Sequence, residues 1–228
     1  MAALIQVDAF TDKPFGGNPA AVCLLDQPAE PGWMQQVAAE MNLSETAFVH
    51  PTETDFALRW FTPAVEVELC GHATLASAHA MWSEGLVPTD RPIRFATAGG
   101  ELTAQRTDGL IELNFPATPA EPIDVPDGLA KVLGGTVPEW CGRNHYDKLL
   151  VVASEEELRG LQPDFATLKQ MTDRGMIVSS PSRDTAYDFV SRYFAPAAGI
   201  DEDPVTGSAH CTLAPYWAER LGKRTLVG

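Results

Sequence analysis

Residues 201–211 read Asp-Glu-Asp-Pro-Val-Thr-Gly-Ser-Ala-His-Cys and crowd more chemically able groups together than any other stretch of the chain. Pro204 stops a strand, Gly207 lets the backbone approach a ligand, and Thr206 or Ser208 can cap the helix that follows to Leu221. The unbonded N–H groups of such a terminus favour an anion. Asp203 beside an anion site is an odd placement unless it has chemical work. Cys70-Gly71-His72 is a second candidate, with a thiol and an imidazole ahead of a small-residue segment. A thiol at a helix N-terminus has a lowered pKa and could take a proton from carbon. The same residue also reads as a small buried filler, and the sequence leaves both readings open. Asp203, Ser208 and His210 hold the letters of a hydrolase triad, but two residues apart on one helix point to different sides. His210-Cys211 and Cys70-x-His72 could ligate metal, yet neither reaches a set of three or four, so no metal is expected. No phosphate loop or dinucleotide fingerprint is present.

These groups need elements to position them, and the chain supplies them twice. Arg59-Trp-Phe-Thr-Pro63 and Arg192-Tyr-Phe-Ala-Pro196 share their pattern at a separation of 133 residues. The same separation lays Cys70 on Asp203, Thr74 on Gly207 and Ala76 on Ala209. In each copy a strand ends near Pro and a small-residue helix begins, at 71–85 and at 208–221. The segment 71–85 is small and apolar on most sides, which predicts a buried helix wrapped by strands. Strands are expected at 4–10, 20–24, 46–49, 56–61, 146–152, 176–179 and 188–194. The spacing of Trp33, Val37 and Met41 predicts a helix over 30–41. Asp108-Gly109 between 100–106 and 110–115 is a hairpin signal, and Ser154 with Glu157 a capping box over 154–161.

Pro116, Pro119, Pro122 and Pro126 mark a boundary. The domains expected are 1–115, a linker over 116–126, and 127–228. After its central helix the first half continues through 93–97 and the hairpin, whereas residues 222–228 follow Leu221. The second domain is therefore expected to lack closing strands and to leave its helix the more exposed of the two.

Composition bounds the function. The net charge is −15, from 16 basic and 31 acidic residues in 228, which argues against nucleic acid or an anionic membrane as partner. No stretch is long and apolar enough to span a bilayer, and the first residues lack a signal-peptide layout. Four cysteines without CxxC spacing point to a reduced, cytoplasmic chain.

Five motifs stand in order: Gly17-Asn18-Pro19-Ala20, Leu43-Ser44-Glu45-Thr46-Ala47-Phe48, Arg59 to Pro63, Gly71-His72-Ala73-Thr74, and Glu202-Asp203-Pro204-Val205-Thr206-Gly207-Ser208-Ala209. Together they resemble the phenazine-biosynthesis PhzF-like isomerases over nearly the whole chain. The resemblance implies an α+β, diaminopimelate-epimerase-like fold: two similar domains related by a pseudo-twofold, each a curled, mostly antiparallel sheet around a central helix, with the site in the cleft between them. It also implies that Glu45, unremarkable by local physics, is the general acid/base. His72 and Asp203 would line the site and assist proton transfer. Gly71, Gly207 and Ser208 would hold a substrate carboxylate, with Cys70 beside them. Cys70 stands at the first of the two positions that cofactor-free epimerases of this fold fill with cysteine, and Asp203 stands near the second. The expected activity is a cofactor-independent isomerase acting on a small carboxylate-bearing substrate, with a homodimer left open. An epimerase or lyase using the same deprotonation, or a binding protein of the same fold, are the alternatives.

Overall fold

The computed structural model describes residues 3–172 and 174–228 and divides them into two units. One runs to Phe115 and includes Val205–Ser208; the other comprises Pro116–Pro204 and Ala209–Gly228.

In the first unit β1 (Ala3–Ala9) pairs antiparallel with β2 (Asn18–Leu24). The chain turns between them on Gly17, whose φ is 64° and whose added Cβ would meet the Ala9 carbonyl oxygen at 2.0 Å. Only glycine fits such a corner. Helix α1 (Pro31–Met41) starts on a proline, where a missing N–H costs nothing, and ends on left-handed Asn42 (φ 51°). β3 (Glu45–Pro51) then runs parallel to β2, and β4 (Phe56–Phe61) returns antiparallel to β3. A short β5 (Glu66–Val67) pairs with the end of β4 and leads into α2 (Gly71–Ser83). Ten of the thirteen residues of α2 are buried, which its Ala, Ser and Thr content permits at close approach. It packs against β1, β2 and β3. β6 (Ile93–Thr97) joins the start of β4 in parallel, and β7 (Gly100–Thr107) and β8 (Leu110–Asn114) close the sheet as the expected hairpin. Asp108 and Gly109 both have positive φ there, as a type I′ turn requires.

The second unit is built from β9 (Glu121–Pro122), α3 (Leu129–Val132), β10 (Trp140–Arg143), β11 (Asp147–Val151), α4 (Glu155–Gly160), α5 (Phe165–Met171), β12 (Gly175–Pro181), β13 (Phe189–Ala195), β14 (Ile200–Asp203) and α6 (His210–Leu221). Its strands lie in the order β14-β13-β12-β11-β10-β9. The pairing senses repeat those of the first unit. β10–β11 is antiparallel, β11–β12 parallel, and β12–β13 and β13–β14 antiparallel, as in β1–β2, β2–β3, β3–β4 and β4–β5. The side chains repeat as well. Arg59 on β4 donates a two-pronged pair of hydrogen bonds to Glu66, both 2.7 Å, and stacks on Phe61. Arg192 on β13 does the same to Glu202, at 2.7 and 2.8 Å, and stacks on Phe194. The Arg-aromatic-Phe pattern read from sequence is thus a strand with a guanidinium clamped to the next strand.

Some elements differ from expectation. The second central helix begins at His210, not at Ser208, and its N-cap residue is Ala209, without a side-chain hydrogen bond. Residues 207–209 form a turn instead, because Val205–Ser208 packs with the first unit. The Pro-rich stretch contributes an edge strand, β9, and hydrogen bonds Thr118 N–H to the Cys211 carbonyl at 2.8 Å. One expectation for this unit holds: only four of the twelve residues of α6 are buried, so it is more exposed than α2.

Half of the capping box forms on α4: Ser154 Oγ accepts from Glu157 N–H at 3.2 Å, while the Glu157 carboxylate reaches one residue beyond the N-cap, to Ala153 N–H. Ser154→Ala is expected to cost about 1 kcal/mol, read as a lowered urea midpoint. Near the other end of the unit, the Asp188 carboxylate accepts from Val227 N–H (3.0 Å) and from the Lys223 ammonium. Asp188 N–H in turn donates to the Val227 carbonyl at 2.7 Å. The Lys223 hydrogen bond, followed by the Val227 amide, holds this carboxyl below the usual aspartate range. A lowered folded pKa means that the contact is intact above the ordinary aspartate value and is lost as pH falls through the folded one. Amide exchange at Val227 is therefore expected to accelerate, beyond the intrinsic rate, on acidification of the native chain. Asp188→Ala, which removes the acceptor, should exchange fast at every pH.

Candidate active site

Glu45 is the first residue of β3, not part of the connection before it, and pairs in register with Ala20 of β2. A strand position fixes the direction of its side chain. The carboxylate points toward the start of α2, where it lies 3.6 Å from His72 Nε2, with side chains only 14% and 2% exposed respectively. The opposite ring nitrogen, His72 Nδ1, lies 3.5 Å from Cys70 Sγ. The carboxylate and the thiol thus each approach the imidazole to within 3.6 Å.

The thiol sits where its helix begins. Cys70 is the N-cap residue of α2, extended at φ −143°, and makes no side-chain cap. Its carbonyl accepts from Thr74 Oγ1 at 2.5 Å, which holds the first turn in place. The first N–H groups of α2 carry the partial positive charge of the helix terminus.

Gly71 opens α2 and touches the second motif. A Cβ on Gly71 would meet Gly207 Cα at 2.7 Å and Ser208 N at 3.1 Å; one on Gly207 would meet Gly71 Cα at 3.0 Å. Two bare backbones cross here, and this is what both glycines are for. Sequence reasoning missed the residue that holds the crossing. Asn18, fully buried at the start of β2, donates from Nδ2 to the Val205 carbonyl at 3.0 Å. Its signal was present in Gly17-Asn18-Pro19, which the resemblance quoted without a role.

The first unit therefore brings together Glu45, Cys70 and His72 on one side, and Gly71, Gly207 and buried Ser208 at the backbone crossing. Asp203 belongs to the second unit, where it ends β14, pairs in register with Tyr193 and is 7% exposed.

Burial raises the Cys23 thiol, raises Cys141 against an opposing effect of Lys148, and pushes Cys211 up to about 11, so that all three favour the neutral form. Two ligand types that sequence showed as a pair, Cys70 and His72, acquire a third from the tertiary fold. The ligand atoms of Glu45, Cys70 and His72 all lie within 4.8 Å of one another. Among the described residues no helix is long and apolar enough to cross a membrane.

Known proteins share this architecture. A crystal structure of a PhzF-family phenazine biosynthesis protein from Enterococcus faecalis superposes with a TM-score of 0.86 at 39% identity, covering 98% of this chain and 84% of that one. A probable proline racemase from Agrobacterium radiobacter shares the fold at a TM-score of 0.63 and 12% identity, over 97% of this chain and 78% of the other. The α+β fold, with a curled sheet in each unit, is thus that of the PhzF proteins, and the racemase shares it. In sequence, an uncharacterized isomerase of Halalkalibacterium halodurans is 52% identical over 226 residues, 97% of this chain and 83% of the relative. The sequence profile of the PhzC-PhzF family, phenazine biosynthesis-like proteins, matches residues 7–226, and the chain belongs to that family.

Proposed function

We propose that this protein is a cofactor-independent isomerase that moves a proton between carbon atoms of a small carboxylate-bearing substrate. One observation carries the reading: the Glu45 carboxylate is mostly buried, aimed at a helix N-terminus, and held 3.6 Å from a buried imidazole. Glu45 takes a proton from carbon, the electron pair left behind spreads into the adjoining unsaturated or carboxylate group, and the same carboxyl returns the proton to a second carbon. A carboxyl largely shielded from bulk water suits both halves of that task, since the proton it takes is kept within the site until it is returned. His72 orients the carboxyl. The N–H groups at Gly71–His72 and at Gly207–Ser208 take the substrate carboxylate, as helix and turn N–H groups take anions. Asp203 keeps the assisting role its motif implies. Return of the proton to the opposite face of the same carbon would make the enzyme an epimerase, and loss of a leaving group a lyase; the first step is common to all three.

The test follows from that shared step. The protein is incubated in deuterium oxide with a panel of cyclic and amino carboxylic acids, and incorporation is read by NMR and mass spectrometry. Deuterium is expected at one or two carbons adjacent to an activating group in at least one acid, with or without net conversion. An acid that binds in calorimetry yet never exchanges would leave a binding protein instead.

A further inference from the structure

We infer that Glu45, Cys70 and His72 form a binding site for a borderline-soft divalent cation, Zn²⁺, whose occupancy switches the acid/base site off. The donor set is thiol, imidazole and carboxylate, the three side chains Zn²⁺ prefers. Two of them come from the rigid first turn of α2, and the third from the first residue of β3. The spacing fits. Tetrahedral Zn²⁺ with Zn–S of about 2.3 Å and Zn–N of about 2.05 Å separates sulfur from nitrogen by roughly 3.6 Å. Cys70 Sγ and His72 Nδ1 stand 3.5 Å apart. The Glu45 carboxylate offers an oxygen within 4.8 Å of Cys70 Sγ and of a His72 ring nitrogen, approaches His72 from the Nε2 side, and is the one member not fully enclosed, so it is the ligand that moves to complete the set.

Charge agrees with geometry. A thiolate and a carboxylate with a neutral imidazole sum to two negative charges, so a dication leaves the buried cluster neutral, the only state burial tolerates cheaply. The α2 terminus opposes the cation but favours the thiolate that binds it. Among the described residues Cys23, Cys141 and Cys211 belong to no such group of three ligand types, so they do not compete. With three protein ligands the fourth position stays open to water. Glu45 on the metal can no longer carry a proton; this consequence, unlike the binding itself, rests on the function proposed above.

Binding is read without turnover. Co²⁺ is titrated into the whole protein as a spectroscopic stand-in, and Zn²⁺ affinity is then measured by competition with a chromophoric chelator. One ion per chain is expected, with a near-ultraviolet thiolate-to-cobalt band. Cys70→Ser should abolish the band, and Glu45→Gln, which leaves the β3 ladder intact, should weaken Zn²⁺ by at least about 10²-fold. Cys211→Ser should change neither. Absence of the cobalt band, or Zn²⁺ affinity unchanged in both Cys70→Ser and Glu45→Gln, overturns the site. If exchange activity is found, stoichiometric Zn²⁺ should suppress it and a chelator restore it. Bound Zn²⁺ with undiminished exchange would overturn the switch while leaving the proposed isomerase standing.

Discussion

Glu45→Gln is expected to lower solvent deuterium exchange by at least about 10²-fold while leaving the fold and substrate binding unchanged. The substitution keeps the shape of the side chain and removes only its ability to carry a proton. Stability should hold, because what Glu45 gives the structure is its backbone: β3 pairs with β2 from Ala20–Glu45 onward and with β4 from Thr46–Phe61 onward. Affinity for the substrate carboxylate should hold too, since that group is assigned to backbone N–H groups. Calorimetry with an unreactive acid and exchange with a reactive one separate the two effects. Retention of more than about a tenth of the exchange rate would remove Glu45 from the role, because no positioned acid/base group is dispensable at that level.

Gly71→Ala is expected to be nearly as damaging by another route. The new methyl would stand 2.7 Å from Gly207 Cα and 3.0 Å from the Gly207 carbonyl carbon, and neither is a side chain that can swing aside. Either the α2 terminus or Val205–Ser208 must move. Overpacking of this kind costs about 1–3 kcal/mol. The loss of activity should exceed the loss of stability. A displacement near 1 Å at a terminus that carries Cys70 and His72 and receives the substrate carboxylate is worth about 10²-fold in rate. Gly32→Ala is the control. Nothing lies within 4 Å of its added Cβ and its φ is ordinary, so inside α1 the change should be neutral or slightly stabilising. Equal behaviour of the two variants would show that the crossing of backbones at Gly71 and Gly207 is not tight.

What could be read from sequence, and what could not, follows a physical line. Local signals sufficed where one short stretch controls the outcome. The Asp108-Gly109 turn demands positive φ, Ser154 caps the first turn of a helix through Glu157 N–H, and the crowding of small residues after Cys70 marks a helix buried on most sides. The 133-residue repeat was legible because it preserves a whole device, an arginine clamped to the neighbouring strand and stacked on the aromatic two positions on. Weak local signals failed. β10 has four residues, one of them glycine, and becomes a strand only through its partners β9 and β11. α5 has seven, begun by Asp164 accepting from Thr167 N–H, too short for helical periodicity to emerge.

The site divides in the same way. The sequence by itself determined which groups could act: a thiol and an imidazole at one helix start, two glycines where backbones must meet a ligand or each other, and motifs that nominate Glu45. Only the tertiary structure decided that Glu45, 25 residues before Cys70 along the chain, reaches His72, and that carboxylate, imidazole and thiol gather in one cluster. It also decided that Val205–Ser208 leaves its own helix to pack on Gly71, with Asn18 holding the Val205 carbonyl. The register of a sheet and the closeness of two backbones depend on every residue that packs around them. No short-range pattern in the chain encodes either.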